Sequence, residues 1–339
     1  MCLPPASETP ATHGLRAEPT SKLVVCVNLY WVLLVATTAA AVSCCNSALV
    51  ALGLSAGCQF CASAFLATEM MWWLPNVGVD WVFGAEALQP FRHAHKGGMG
   101  GAPTSVRASL WQMPYQLTAM RQARVSRVRG YWMDPLIYAI TYACSARRGA
   151  VVATNLAVGF WPSDSLELCS TALTFVGMLL YFDFMSFLLH WAMHTRVLYR
   201  RYHKEHHDVR HLSPWANDIE SDAEGLLNVF MCKATTVIFA AWLGLLQERP
   251  WLIVAFYAFT KWYGVMEHLN MTLPPLHILL RWKQAGHPLC SLLSLPDYHD
   301  DHHRYSPDAE AVGHLAVYTT FWDRLFAPLV RRTTVAKLS

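Results

Sequence analysis

The chain has 339 residues, of which 54% are hydrophobic and only 14% are charged, and its formal net charge is +3. Soluble domains carry about 25% charged residues, so this composition favours a membrane protein over a soluble one. The small net charge gives no indication of nucleic-acid binding. The ten cysteines lie mostly inside apolar runs, which is typical of packed free thiols and excludes a secreted disulfide framework.

The N-terminal part is predicted to be a polar tail, residues 1–22, followed by a transmembrane hairpin, residues 23–74. Apolar runs of about 20 residues can cross a bilayer as helices. The runs 23–45 and 48–74 qualify, with a polar break at Asn46 between them. The first run is too long for a cleaved signal peptide, so we expect an uncleaved signal-anchor.

The middle of the chain begins with a glycine-rich and arginine-rich stretch, residues 75–135, which is predicted to be an extramembrane connection. The apolar segment 136–160 that follows is interrupted by Arg147 and Arg148. Charges at mid-bilayer are costly. This segment is therefore left with three alternatives, a span, a re-entrant segment or an interfacial helix.

The C-terminal half contains three further apolar runs. Residues 166–188 form one predicted span, and residues 226–246 and 251–264 form a hairpin. Because a hairpin leaves and returns on the same side, the segments before and after it are expected on one face of the membrane. Basic residues such as Arg196 and Arg200 mark that face as cytosolic.

Histidine clusters on that face are the most informative motif. One has the spacing HxxxH and two have the spacing HxxHH: His190 and His194; His203, His206 and His207; His299, His302 and His303. Residues three or four apart share a helix face, and imidazole is a ligand for Zn, Cu, Fe and Ni. A structural zinc closes with four ligands, so eight histidines predict two ions. The expected fold class is all-α, an integral membrane helical bundle with a histidine-rich cytosolic cap.

The same motifs exclude two classes of zinc protein. No cysteine lies within the clusters, which excludes a zinc finger or ribbon. Trp191 stands where an HExxH protease carries glutamate, which excludes a zincin.

Asp183, seven residues before His190, has two interpretations. It accepts a hydrogen bond from the second ring nitrogen of a ligand histidine, or it lies in the helix interior and pairs elsewhere.

The region from about residue 165 to 328 resembles the fatty acid hydroxylase superfamily, which includes sterol desaturases, 4-methylsterol oxidases and sphingolipid fatty acid hydroxylases. The resemblance rests on the three clusters, on a segment from His268 to His277 with two prolines, and on the closing motif from Trp322 to Phe326. Two departures stand out. The stretch from Ser221 to Glu224 replaces the His-Pro-x-Glu of relatives, which puts the local loop geometry in question, and Ala327-Pro replaces Gly-Thr.

The resemblance implies a catalytic domain over residues 136–330, with a C-terminal tail at 331–339. It also implies ten metal ligands: His190, His194, His203, His206, His207, His268, His277, His299, His302 and His303. An interfacial position is the alternative for His277. The implied cofactor is a pair of Fe ions, with zinc as a substitute.

The function implied by the resemblance is an O2-dependent membrane lipid oxidase, either a hydroxylase or a desaturase. A sterol or related lipid is favoured because the segment from His268 to His277 looks like the sterol branch, and a fatty acyl or sphingolipid substrate is the alternative. The expected partners are O2 and a separate electron donor, such as a membrane haem carrier with its reductase. The expected location is the endoplasmic reticulum membrane, multi-pass, with the clusters cytosolic.

A different class of function stays open beside the oxidase. A non-catalytic metal-binding membrane protein or a transporter would also carry clustered histidines. A transporter places ionisable groups deep inside its spans, whereas these histidines lie at the ends of the predicted spans.

Overall fold

The computed structural model describes residues 19–79, 133–146, 165–207, 217–246, 249, 251–269, 271–305 and 314–335, together with Leu88 and Phe91. The regular secondary structure of these residues is helical, apart from one isolated bridge between Leu293 and Thr319. The predicted all-α class is confirmed. Arg147, Arg148, His93, His95 and His211 lie outside the described residues.

The helices follow in chain order. The first four are α1 (Ser21–Ala51), α2 (Ala56–Val77), α3 (Met133–Ala146) and α4 (Ser165–Met193). Helix α5 joins Arg196–Leu198, the π-helical Tyr199–His203 and Lys204–His207, and helix α6 joins Asp222–Leu227, the π-helical Asn228–Ala234 and Thr235–Trp242. The last four are α7 (Trp251–Glu267), α8 (Leu276–Gln284), α9 (Pro296–Tyr305) and α10 (Phe321–Val335), with a short 3-10 turn at Cys290–Leu292 before α9.

The N-terminal hairpin turns later in the chain than the sequence predicts. Asn46 does not break the first helix, because its side chain is buried and α1 continues to Ala51. The turn is made by Gly53, whose φ of 70° favours glycine. Ser55 then caps α2 by accepting a hydrogen bond from the Cys58 amide. The prediction of a break at Asn46 was therefore wrong, while the two-helix hairpin itself is present.

Three helices among the described residues are long and apolar enough to cross a membrane: α1, α4 and α6 (Asp222–Trp242). Helix α7 has 17 residues and is therefore about 26 Å long at 1.5 Å per residue. A bilayer core is about 30 Å thick. The predicted return across the membrane at residues 251–264 is thus not among the helices that meet these criteria. Helix α2, the second half of the predicted transmembrane hairpin, is not among them either.

Helix α7 lies at the centre of the bundle. It packs against α2 and α4, with Tyr257 edge-on to Tyr138 of α3 at 4.8 Å and Phe256 edge-on to Phe182 of α4 at 5.7 Å between ring centroids. A helix that is largely apolar is typically buried in this way. The C-terminal end of α7 carries His268, so the central helix delivers one histidine to the place where α4, α5 and α9 meet.

Candidate metal centre

Nine of the ten predicted ligands come together in two groups. The five-histidine group contains His190, His194, His203, His207 and His302, and the four-histidine group contains His206, His268, His299 and His303. Within each group one nitrogen of every ring lies within 4.8 Å of one nitrogen of every other. All are buried except the half-buried His190. Four helices therefore converge on two adjacent points.

Each HxxHH cluster is divided between the two groups in a reciprocal way. Helix α5 gives His203 and His207 to the five-histidine group and His206 to the other, whereas helix α9 gives His302 to the five-histidine group and both His299 and His303 to the other. Residues four apart lie on one helix face, and adjacent residues point about 100° apart. The division follows from that helical geometry, and it makes each helix a wall of both sites.

The nitrogen spacing fits bound metal ions. The Nε2 atom of His207 lies 3.0 Å from that of His203 and 3.1 Å from that of His302 in the first group. In the second, the Nε2 atom of His299 lies 3.0 Å from that of His268 and 3.1 Å from that of His303. Metal–imidazole bonds are about 2.0–2.1 Å, which puts two nitrogens on one ion about 2.9–3.4 Å apart. The donor set and its spacing therefore fit one first-row ion in each group.

Hydrogen bonds of the Nδ1 atoms show which ring nitrogen carries the proton in three of these histidines. The Nδ1 atoms of His190, His206 and His268 donate to the carbonyls of residues 315, 219 and 264, over 2.9, 3.2 and 2.7 Å. Because a carbonyl can only accept a hydrogen bond, Nδ1 carries the proton and the Nε2 lone pair is available. Ligand histidines almost always donate their other ring nitrogen in this way.

Glu224 is the hydrogen-bond acceptor for the Nδ1 atom of His203. Its Oε1 lies 2.6 Å from the Nδ1 atom of His203, a short charge-assisted contact. Ser221 caps α6 by accepting from the Glu224 amide at 3.2 Å, so the departure from His-Pro-x-Glu still yields a capped helix that presents the carboxylate. We did not assign this role from the sequence. The signal was the retained glutamate in an otherwise altered motif.

Asp183 makes its hydrogen bonds to the backbone rather than to a histidine ring. Its carboxylate accepts from the amides of Val317, Tyr318 and Thr319 at 2.7–3.1 Å and from the Thr319 hydroxyl at 2.7 Å. The second interpretation of Asp183, pairing elsewhere, describes these contacts. The carboxylate holds the 314–320 loop against α4.

Asp323 holds the other end of the 314–320 loop. It accepts from the amides of Leu315 and Ala316 at 2.9 and 3.0 Å. The Leu315 carbonyl in turn accepts from His190. The buried Asp183 and the half-buried Asp323 therefore position the loop whose backbone carbonyl orients one histidine of the five-histidine group. This gives the aspartate of the closing Trp-Asp motif a structural explanation.

The histidines are held neutral. Burial lowers the pKa of His206 from its ordinary 6.5 to about 4, and burial together with the nearby His206 lowers the pKa of His268 to about 3. Burial and crowding among the rings lower the pKa of His207 and His302 as well. A neutral imidazole is the form that binds metal. The centre is therefore in its binding form at neutral pH.

His277 lies outside both groups. It is buried and packs edge-on against Phe91, with ring centroids 5.1 Å apart. His287 is exposed beside Trp282. Their sequence signal, a histidine near prolines or near a helix end, does not distinguish a ligand from a packed or surface residue.

A cavity of about 190 Å³ opens from the histidines. Five of its lining residues are ligand candidates from both groups: His190, His203, His206, His268 and His299. Apolar side chains such as Phe182, Leu189 and Met193 also line it. A molecule in this cavity would lie against both groups.

Comparisons with known proteins agree with this site. The fatty acid hydroxylase family model matches residues 175–327. Two curated relatives are the very-long-chain aldehyde decarbonylases GL1-4 of Oryza sativa subsp. indica and subsp. japonica, each 29% identical over 143 residues that make up 42% of this chain and 21% of the relative. The match thus spans about a fifth of each relative's length. No solved structure matches.

The matched segment contains both histidine groups and the loop that Asp183 and Asp323 hold. The resemblance that the histidine motifs predict is confirmed by the family match. Residues 175–327 of this chain are similar to the fatty acid hydroxylase family.

Proposed function

We propose that this protein is an O2-dependent oxidase of membrane lipids. One observation carries the proposal, which is that two all-histidine groups open on one cavity between helices of an apolar bundle. Two iron ions would supply activation of O2 at this position, whereas zinc could occupy the same ligands as a substitute but has no redox chemistry. In hydroxylation, a C–H bond, O2, two electrons and two protons give an alcohol and one water. Desaturation uses the same oxidant and electrons and releases two waters.

The protein's own residues prepare the site for this reaction. The five-histidine and four-histidine groups bind the ions, while Glu224 and the Leu315 carbonyl orient two of the rings. Phe182, Leu189 and Met193 line the cavity beside the histidines. These apolar side chains would hold a substrate carbon in place and exclude water from it.

A sterol or a related lipid is our proposed substrate, with a fatty acyl lipid or sphingolipid as the alternative. The similar aldehyde decarbonylases add very-long-chain aldehydes as another candidate. The matched relatives are similar only over the segment that carries the site, so a panel of lipids that includes an aldehyde is the appropriate test.

We further propose that a separate protein supplies the electrons and that the site faces the cytosol at the endoplasmic reticulum. The support is the exposed positive charge beside the site, since Arg196, Arg200, Arg201 and Lys204 are all exposed on α5. Basic residues that flank a span favour the cytosolic side. The same charges suit an acidic haem carrier.

Oxygen consumption tests the function directly. Full-length protein in detergent is loaded with Fe(II) and given a lipid panel with a reduced haem-protein donor. We expect lipid-dependent O2 uptake, an oxidised lipid product, and loss of both in His203→Ala and His302→Ala. Two bound ions with no O2 uptake for any lipid would instead favour a metal-binding protein without oxidase activity.

A further inference from the structure

Two backbone carbonyls orient the four-histidine group, and they belong to separate parts of the chain. The Ile219 carbonyl, just before α6, accepts a hydrogen bond from the Nδ1 atom of His206 at 3.2 Å. The Gly264 carbonyl, near the end of α7, accepts from the Nδ1 atom of His268 at 2.7 Å. Both carbonyls must keep their places for the two rings to direct their Nε2 atoms to one ion.

A buried ion pair joins those two parts of the chain. The Lys261 ammonium of α7 lies against the Asp218 carboxylate, and the two side chains are 9% and 7% exposed. Asp218 directly precedes Ile219 in the chain. Lys261 lies three residues before Gly264, on the same side of α7. The pair therefore fixes the segment 217–220 against α7 at the level of both carbonyls.

A close contact holds the same segment against α7. The Asn217 side chain donates a hydrogen bond to the Asp218 carboxylate at 3.0 Å. Its own carbonyl oxygen lies over Gly264, where an added Cβ atom would be only 2.4 Å away. Glycine at position 264 leaves room for this approach, which no other residue type would allow without a shift of Asn217.

An ion pair in this position is a weak source of stability. The loss of hydration offsets most of the attraction between two buried charges. What the pair does provide is a fixed geometry, because each buried charge must stay next to its partner. Its place beside both carbonyls therefore favours a role in the metal site over a role in the bundle as a whole.

The five-histidine group is oriented by other segments. His190 donates to the carbonyl of Leu315, in the 314–320 loop. The Nδ1 atom of His203 contacts Glu224 of α6. The acceptors of the two groups therefore come from different parts of the chain, and a change at the ion pair should affect one group more than the other.

We propose that the Asp218–Lys261 ion pair is a positioning device for the ion of the four-histidine group, and that it sets the metal affinity of that group alone. Through Asp218 it places the acceptor of His206, and through Lys261 it places the acceptor of His268. Neither Asp218 nor Lys261 belongs to the group itself. The proposal concerns how the ion is held, and it stands whether or not the bound ions activate O2.

Cobalt binding to one group at a time tests this inference without relying on turnover. Full-length protein in detergent is titrated with Co(II) and followed by visible absorption. The His302→Ala background keeps the four-histidine group complete, and the His303→Ala background keeps the five-histidine group complete. Asp218→Asn should lower the Co(II) affinity about tenfold in the first background and leave it unchanged in the second.

Three outcomes would overturn the proposal. The first is an equal loss of affinity in both backgrounds, and the second is a loss in neither. The third is a four-histidine group that binds no Co(II) even with Asp218 in place. Asp222→Asn is the matched control, because Asp222 lies four residues further along, is exposed and loses the same charge. It should leave the affinity of both groups unchanged.

A double variant separates positioning from stability. Asp218→Asn alone removes the carboxylate with which Lys261 pairs, which lowers the stability of the fold. Combined with Lys261→Met, it removes both charges and nearly keeps the side-chain volume, so the Tm should return to that of the parent. The Co(II) affinity of the four-histidine group should stay about tenfold lower. Parent affinity in this folded double variant would show that the pair serves stability alone.

Gly264→Ala tests the same contact from the helix and leaves no buried charge unpaired. The added methyl group displaces the Asn217 side chain from its place over α7. Alanine favours a helix more than glycine does, so a merely structural effect would stabilise the protein and leave metal binding unchanged. We expect instead a selective loss of Co(II) affinity in the four-histidine group, and its absence would count against the proposal.

Discussion

The contact between Glu224 and His203 provides the sharpest test of the metal centre. The Oε1 atom of Glu224 lies 2.6 Å from Nδ1 of a histidine whose side chain is only 3% exposed. Glu224→Ala leaves that N–H without its acceptor, and an unsatisfied buried donor costs about 1–3 kcal/mol. Removing such a partner lowers metal affinity by about 10- to 100-fold. The two estimates agree, since 1.4 kcal/mol corresponds to about tenfold.

The structure also predicts which ion is affected. His203 belongs to the five-histidine group, so that ion should be lost first when the loaded variant is titrated with a chelator. Glu224→Gln keeps an acceptor but loses the charge, and it should fall between the wild type and Glu224→Ala. Metal content after each chelator step is measured by mass spectrometry, with expected values near two ions for the wild type and one for the alanine variant.

Glu205→Gln is the matched control. Glu205 lies on the same helix as His203, but its side chain is exposed, so the variant should retain both ions like the wild type. If Glu224→Ala also retained both ions at the same chelator concentration, the reasoning from the hydrogen bond to metal affinity would be refuted.

Further predictions concern the two groups, the loop and the pH. His302→Ala should release the ion of the five-histidine group and His303→Ala that of the four-histidine group, although the two histidines are adjacent in the chain. The spectrum of bound Co(II) reports which site is occupied in each variant. Loss of the same ion from both variants would contradict the division of the cluster. Asp323→Asn weakens its acceptance from the Leu315 and Ala316 amides, so metal affinity of the five-histidine group should fall about tenfold, while the Co(II) spectrum of the four-histidine group stays unchanged. The metal-free protein should lose stability as the pH falls below 6.5. The reason is that the unfolded chain takes up protons at its histidines, while folded His206 stays neutral down to about pH 4. A Tm that is equal at pH 7.5 and pH 5.5 would contradict this.

The sequence predicts the ligand clusters because their spacing is set by the helix itself. His190 and His194 must share a face, and the same holds for His203 and His207. It does not predict which ion each residue serves, since that depends on how α5 and α9 face each other. Asp183 shows the same limit, because its partners are backbone amides 134–136 residues away.

The N-terminal hairpin shows a second kind of limit. Polarity suggested a break at Asn46, but packing buries that side chain and the glycine that follows decides the turn. Hydropathy also does not predict that charged side chains such as Asp218 and Lys261 line the cavity. Asp218 and Lys261 are 43 residues apart in the chain and meet only in the folded bundle.

The reciprocal division of the two HxxHH clusters links the loading of the ions. An ion in either group would cross-link α5 to α9 and so position three ligands of the other group, which are three of four or three of five. The first ion then bears the entropic cost of ordering both helices, and the second binds to a site already formed. Binding of the pair should therefore be positively cooperative, so that each ion binds more tightly when the other group is already occupied.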